Sequence, residues 1–493
     1  NSYGATFAAP VTTGAEVVLS NTVAGQTIRF ADNLTTPVLT TTANGYHLEL
    51  LGTATTVSAA NTATTFLNTG NLVLGNAAGD TLTFAGGLTA TAPSAINAAG
   101  TINTSNTAMS LGDSNTALTL ADHLTLNTTG GNASAGGSLT LGGAVNGTTA
   151  NTQSLTLNAG STGAVSVLGS VGQTTALNTL TLTHSNGATF SSPVSTGTEV
   201  VLSNTVAGQT IRFADNLSTP VLTTTANGYH LELLGTTTNI TGTSATTTFL
   251  NTGNLVLGNA AGDTLTFAGG LTASAPTAIS AAGTLSTTNA AIVLGAAPVT
   301  LTGNTTVNAG TGAITLGGTV DGAYSLALNS TGATTLAAAV GDGAALTSLT
   351  TNTGGTVVIQ GARVNTTGAQ RYAEPVTLSG STTLTGTAIR FDDAVTGSGS
   401  LSVVGAATLN GATVTTQGAQ TYNGAVTLLK NTVLDANAAQ VSFTGTVDGG
   451  FDLTVNTTGT TSFGGDVGAG TPLTSLTTNA GGTVVMRGGV ITT

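Results

Sequence analysis

Cysteine and tryptophan are absent from all 493 residues, and aromatic residues make up only 4% of the chain. Without thiols there are no disulfides, no thiolate zinc sites and no thiol redox chemistry. Charge is equally scarce. Asp, Glu, Lys and Arg together account for 5% of the residues, against about a quarter in ordinary globular proteins. Seven basic residues face nineteen acidic ones, for a net charge of -12. That balance offers nothing to phosphate backbones or anionic lipid and excludes nucleic acid and membrane surfaces as partners. No uncharged apolar run approaches the roughly 18 residues of a transmembrane helix, so no membrane insertion is expected. The chain opens on Asn1 without a signal-peptide pattern, which reads as a soluble, processed or excised piece. Its polarity comes instead from Thr, Asn, Ser and 69 Gly.

Internal repeats organise what remains. Glu16–Gly52 recurs as Glu199–Gly235 with one change, Thr35 against Ser218, and the string GNLVLGNAAGDTLTFAGGLTA occurs at both Gly70 and Gly253. A second module, GG-x-V-(D/N)-G, lies around Val145 and Val320 and, in a looser copy, around Val447. A third relates Val364–Leu378 to Val414–Leu428, both with GAQ-x-Y before a Val-Thr-Leu strand. The expected organisation is a long repeat (1–138), a GG-V-N-G module (139–183), the second long repeat (184–313) and a GG-V-D-G module (314–363). Two GAQxY units (364–440) and a last G-V-D-G module (441–493) complete one continuous architecture.

Apolar pairs and triplets such as Val17-Val18-Leu19, Ile28-Arg29-Phe30, Leu48-Glu49-Leu50 and Leu82-Thr83-Phe84 recur between Gly, Asn and Thr. They read as short strands between tight turns. Period-two alternation puts Ile28, Phe30, Leu48 and Leu50 on an inner face and Arg29, His47 and Glu49 on the outer one. The same holds for Ile211, Phe213, Leu231 and Leu233 against Arg212, His230 and Glu232. No window carries a helical spacing. A chain of β-sandwiches would lean on large aromatics, whereas a narrow solenoid interior is filled by Val, Leu, Ala and occasional Phe. Ile28 and Leu48, Arg29 and Glu49, and Phe30 and Leu50 each lie one coil of about 20 residues apart, stacking like on like. The expected fold is all-β, a right-handed parallel β-helix (β-solenoid) of roughly 25 such coils, forming a rod of roughly 120 Å.

Strings such as TTGAQRYAEPVTL and GTVDGGFDLTVNTTGTTSFGG, the Gly/Asn/Thr-punctuated strands and the near-identical long repeats resemble the repeat regions of large bacterial surface exoproteins. These are adhesins of the filamentous-haemagglutinin and autotransporter-passenger type. The resemblance spans essentially the whole chain, although the sequence carries neither that type's N-terminal secretion domain nor its C-terminal membrane barrel. It implies secretion, an extracellular or bacterial cell-surface location, and adhesion. The corresponding function is an adhesin stalk or a fibre subunit of a surface or matrix, without catalysis. The alternative is a solenoid that binds or cleaves carbohydrate.

Candidate chemistry is thin, and no catalytic residue, cofactor or metal is expected. The histidines are His47, His123, His184 and His230; the first and last are one repeat apart and cannot share a metal. His47 and Glu49 share an outward face, but the neighbour one coil away is Arg29, whose charge repels a cation. An inter-coil ion pair between Arg29 and Glu49, repeated as Arg212 and Glu232, is the favoured reading. Asp392-Asp393 is the one adjacent carboxylate pair; in a strand its members face opposite ways. Asp80, Asp263, Asp321, Asp342 and Asp448 read as turn residues beside Gly. Thr81-Leu82-Thr83 and Thr264-Leu265-Thr266 suggest an ice-binding ladder, but Asn, Ser and Arg interrupt it. Asn33, Asn216, Asn304 and Asn456 match glycosylation acceptors by composition alone.

The ends suggest self-association. Ser2–Ala5 matches Ser185–Ala188 with one mismatch, and Gly481–Thr493 parallels Gly354–Thr366, so both termini read as cut within repeats. The expected partner is a further coil of the same kind, through head-to-tail stacking or a longer chain, with surface glycans as a second class.

Overall fold

The computed structural model describes residues 2–20, 22–131 and 135–493, which leaves Asn1, the first residue of the chain, outside the described residues. The described residues contain no helix; 52% of the chain is strand, in about 22 stacked coils of parallel pairing. The fold is a β-solenoid. It comprises two compact units, one of Asn1–Gly242 with Thr247–Val256, the other of Thr243–Thr246 with Leu257–Thr493.

In the first unit, one file of core residues runs Ile28, Leu48, Leu72, Ile96, Leu118 and Val145, each paired in parallel with the next. Arg29 sits over Glu49 in the same register. Inward side chains are sealed: Ile28, Phe30, Leu48 and Leu50, and their counterparts Ile211, Phe213, Leu231 and Leu233, are all at most 4% exposed. Arg29 and Arg212 are exposed, and His47, Glu49, His230 and Glu232 are half-buried on the outer face. A one-residue slip would turn every one of these side chains over, so the apolar alternation alone selects the register.

Coil length ranges well beyond the expected value of about 20 residues. Ile28 and Leu48 are 20 apart, but Leu118 pairs with Val145 and Leu124 with Leu155. The corners absorb these insertions, as at Gly147–Gln153, while the strands keep their ladder. That is why the coils number about 22 and not 25.

Corners also explain specific glycines. Ile96–Asn103 bends without leaving the ladder, its register shifting between Ala98 and Gly100. Gly100 has φ +82°, and a Cβ there would collide with the backbone of Asp80. Only glycine satisfies both conditions.

In the second unit, the file Leu271, Ile292, Ile314, Thr334, Val357, Val376, Val395 and Val414 continues the same design. Stacked rings run through the interior, with Tyr372 on Phe391 at 5.5 Å, Tyr422 on Phe443 at 5.3 Å and Phe443 on Phe463 at 5.1 Å.

The core is more polar than the expected Val, Leu, Ala and Phe. Tyr46, Tyr229, Tyr372 and Tyr422 are fully buried, as are Gln370 and Gln420. Where the chain turns between sheets, carbonyls point inward and need donors. Gln370 Nε2 donates to Val364 O at 2.9 Å and Thr385 O at 2.8 Å, and its Oε1 accepts from the Tyr372 hydroxyl at 2.9 Å. Gln420 repeats the arrangement, donating to Val414 O and Asp435 O and accepting from Tyr422. The GAQxY string is therefore a corner device, with the glutamine feeding two carbonyls and the tyrosine closing the network.

Candidate functional site

Most charged side chains and three of the histidines bond to the adjacent coil. Arg29 Nε lies 2.5 Å from Glu49 Oε2, and Arg212 Nε lies 2.6 Å from Glu232 Oε2. The structure thus brings together both pairs singled out from the sequence. The bond from Glu49 raises the Arg29 guanidinium above its ordinary pKa, as Glu232 does for Arg212. Glu16 and Glu199 accept from Thr40 and Thr223 of the following coil.

Three histidines make a link that sequence reasoning missed. His47 Nδ1 accepts from the Asn71 amide at 2.8 Å, His230 Nδ1 from Asn254 at 2.8 Å, and His123 Nδ1 from Ser154 at 3.1 Å. Each amide belongs to a neighbouring coil, so a lone pair that a metal would need is spent on the stack. Among the described residues no group of three or more His, Asp or Glu is placed to hold a metal ion.

The aspartates differ in role. Asp80 is a turn residue, its buried Oδ2 accepting from Asn76 N at 2.8 Å and Ala77 N at 3.0 Å, and Asp263 does the same. Asp321 and Asp448 instead end strands and reach forward: Asp321 Oδ1 takes the amides of Gly343 and Ala344, and Asp448 Oδ1 those of Gly470 and Thr471. They act as staples between coils. Asp342 pairs with Arg363 at 3.2 Å.

Asp392 is the densest charged centre. The strand ends at Phe391, and Asp392 receives Arg371 Nε at 2.7 Å, Arg390 Nε at 2.6 Å and Asn410 Nδ2 at 3.1 Å. Burial pushes its carboxyl up, but the bonds from Arg371, Asn410 and Arg390 outweigh it and hold the pKa below the ordinary value. Asp393 turns away to the Ala394 amide, so the two carboxylates do not converge. The signal was present in sequence: Arg371 and Arg390 stack in register, and like charges so placed call for a shared anion.

Glu374 is the exception to this economy. It is 1% exposed; Oε2 accepts from the Gly355 amide at 2.8 Å and Oε1 has no partner. Burial pushes its pKa up to about 7, against the opposing pull of that amide.

No protein-family model, curated protein or solved structure matches this chain. Its functional reading rests on the residues described above.

Proposed function

We propose that this chain is an extracellular structural repeat protein, an adhesin stalk or filament subunit of a bacterial cell surface or matrix, and that it does no catalysis. One observation carries the reading: the Arg-Glu pairs, three histidines and the strand-ending aspartates Asp321 and Asp448 are spent holding coil to coil rather than converging on a ligand. A scaffold built from repeated coils needs those links, whereas an enzyme needs polar groups left over for substrate. The outer strand positions carry Thr, Ser and Asn, which hydrate well without charge and suit a surface structure that makes many weak contacts. In this reading the partner is a further coil of its own kind, head to tail or as more of the same chain, joined by parallel strand pairing.

Immunogold electron microscopy on thin sections of the source cells tests it. Label on filaments or a surface layer is the expected result; label confined to the cytoplasm overturns the proposal.

A further inference from the structure

The first unit carries a trough of ≈ 580 Å³ on its outer surface, lined by corner residues of four successive coils. At about 4.8 Å per coil the trough extends roughly 14 Å along the stack, and its volume is in the range of small-molecule sites. Its floor is glycine. A Cβ on Gly142 or Gly169 would run into the backbone of the preceding coil, at Gly112 and Gly143 respectively. Close packing of the coils accounts for the bare floor in this copy, and the floor by itself implies no ligand.

The walls are a different matter. Asp113 receives the Asn115 amide at 2.9 Å and the Thr116 hydroxyl at 3.0 Å, both on Oδ1, which leaves Oδ2 to accept from a ligand. Those bonds hold its carboxyl below the ordinary pKa, so it is an anionic acceptor at neutral pH. Leu168 stands in the wall at 49% exposure, with Ser170 two residues further along the chain. Ser192 Oγ donates to Leu168 O at 2.6 Å and fixes the rim.

The second copy of these coils separates packing from binding. There Gly317-Gly318 keeps Gly142-Gly143, but Ala296-Ala297 replaces Asp113-Ser114 and Ala337-Ala338-Ala339 replaces Leu168-Gly169-Ser170, the floor glycine Gly169 included. The fold is built without the acceptor, the hydroxyls or the apolar rim, so these side chains are not required by the solenoid.

We propose that this trough binds a short, neutral, hydroxyl-rich segment of a linear polysaccharide. A carboxylate oxygen and serine hydroxyls suit a ligand dense in O–H donors, and Leu168 suits the C–H face of a sugar ring. No Lys or Arg lines the trough, and Asp113 repels anions, so uronic-acid and phosphate polymers fit poorly. The inference is independent of whether the protein serves as a stalk.

Saturation-transfer NMR on the full chain tests it, with cellotetraose, maltotetraose, laminaritetraose and chitotetraose as probes. At least one gives saturation transfer. Asp113→Ala and Ser170→Arg, which fills the trough from its rim, each weaken that binding tenfold or more, while Ala339→Arg in the second copy leaves it unchanged. Should Asp113→Ala disturb the corner turn, seen by circular dichroism, Ser170→Arg alone decides. No transfer from any of the four at millimolar concentration, or binding that survives Ser170→Arg, overturns the proposal.

Discussion

Replacing Glu374 by Gln should remove a pH dependence that is otherwise built into its coil. With a folded pKa of about 7 against an ordinary 4.5, the folded protein holds a proton that the opened coil releases. Between those two values the opened state binds fewer protons, so stability falls as pH rises. It is full below pH 4.5, declines through the window and is flat above about 7. The shift corresponds to about 3 kcal/mol, at 1.36 kcal/mol per pKa unit. A long repeat stack does not unfold as one unit, so the effect is local opening. The reporters are the amides of Val357 and Val376, bonded to Pro375 O at 2.8 Å and Ala394 O at 2.9 Å. Hydrogen exchange of wild type and Glu374→Gln, taken as a ratio at each pH, cancels the intrinsic pH dependence of exchange. Exchange at these two amides should rise in wild type relative to the variant by on the order of 10² between pH 5 and 8.5. A ratio that stays constant across this range would refute the reasoning. The equivalent corner of the second GAQxY unit carries Gly424, and its neighbours serve as an internal control whose ratio should not move.

Three further perturbations address the coil stack. Phe30→Ala removes a buried ring stacked on Phe7 at 4.7 Å and should cost about 3–5 kcal/mol, read as faster exchange of the Ile28 and Leu48 amides with distant coils unaffected. Asp392→Asn leaves Arg371 and Arg390 in register without their shared anion; a loss of about 1–3 kcal/mol is expected, partly recovered in high salt, and a variant whose stability is unchanged at low salt would rule out the pairing as a stabiliser. Gly100→Val forces a β-branched residue to φ +82° against the Asp80 backbone; a cost above about 3 kcal/mol should appear as proteolytic cleavage at that corner, whereas Gly79→Val, with open space around its Cβ position, should resist protease like wild type.

The amino-acid sequence alone determined the solenoid, the strand directions across Ile28–Phe30 and Leu48–Leu50, and the two pairs Arg29–Glu49 and Arg212–Glu232. These follow from one local rule: alternate side chains in a strand face opposite ways, and burying an apolar set leaves a single register. Residues 20 apart then stack wherever a coil is 20 long. The tertiary structure decided what depends on corners. Coil lengths vary because insertions there cost the ladder nothing, so no fixed offset leads from His123 to Ser154, from Asp321 to Gly343, or from Asp113 to Leu168 across the trough. The buried roles of Gln370, Tyr372 and Glu374 belong to the same class. A polar residue turns inward only where bending backbone leaves carbonyls or amides unpaired inside, and the place of each bend is set by the coils stacked above and below it.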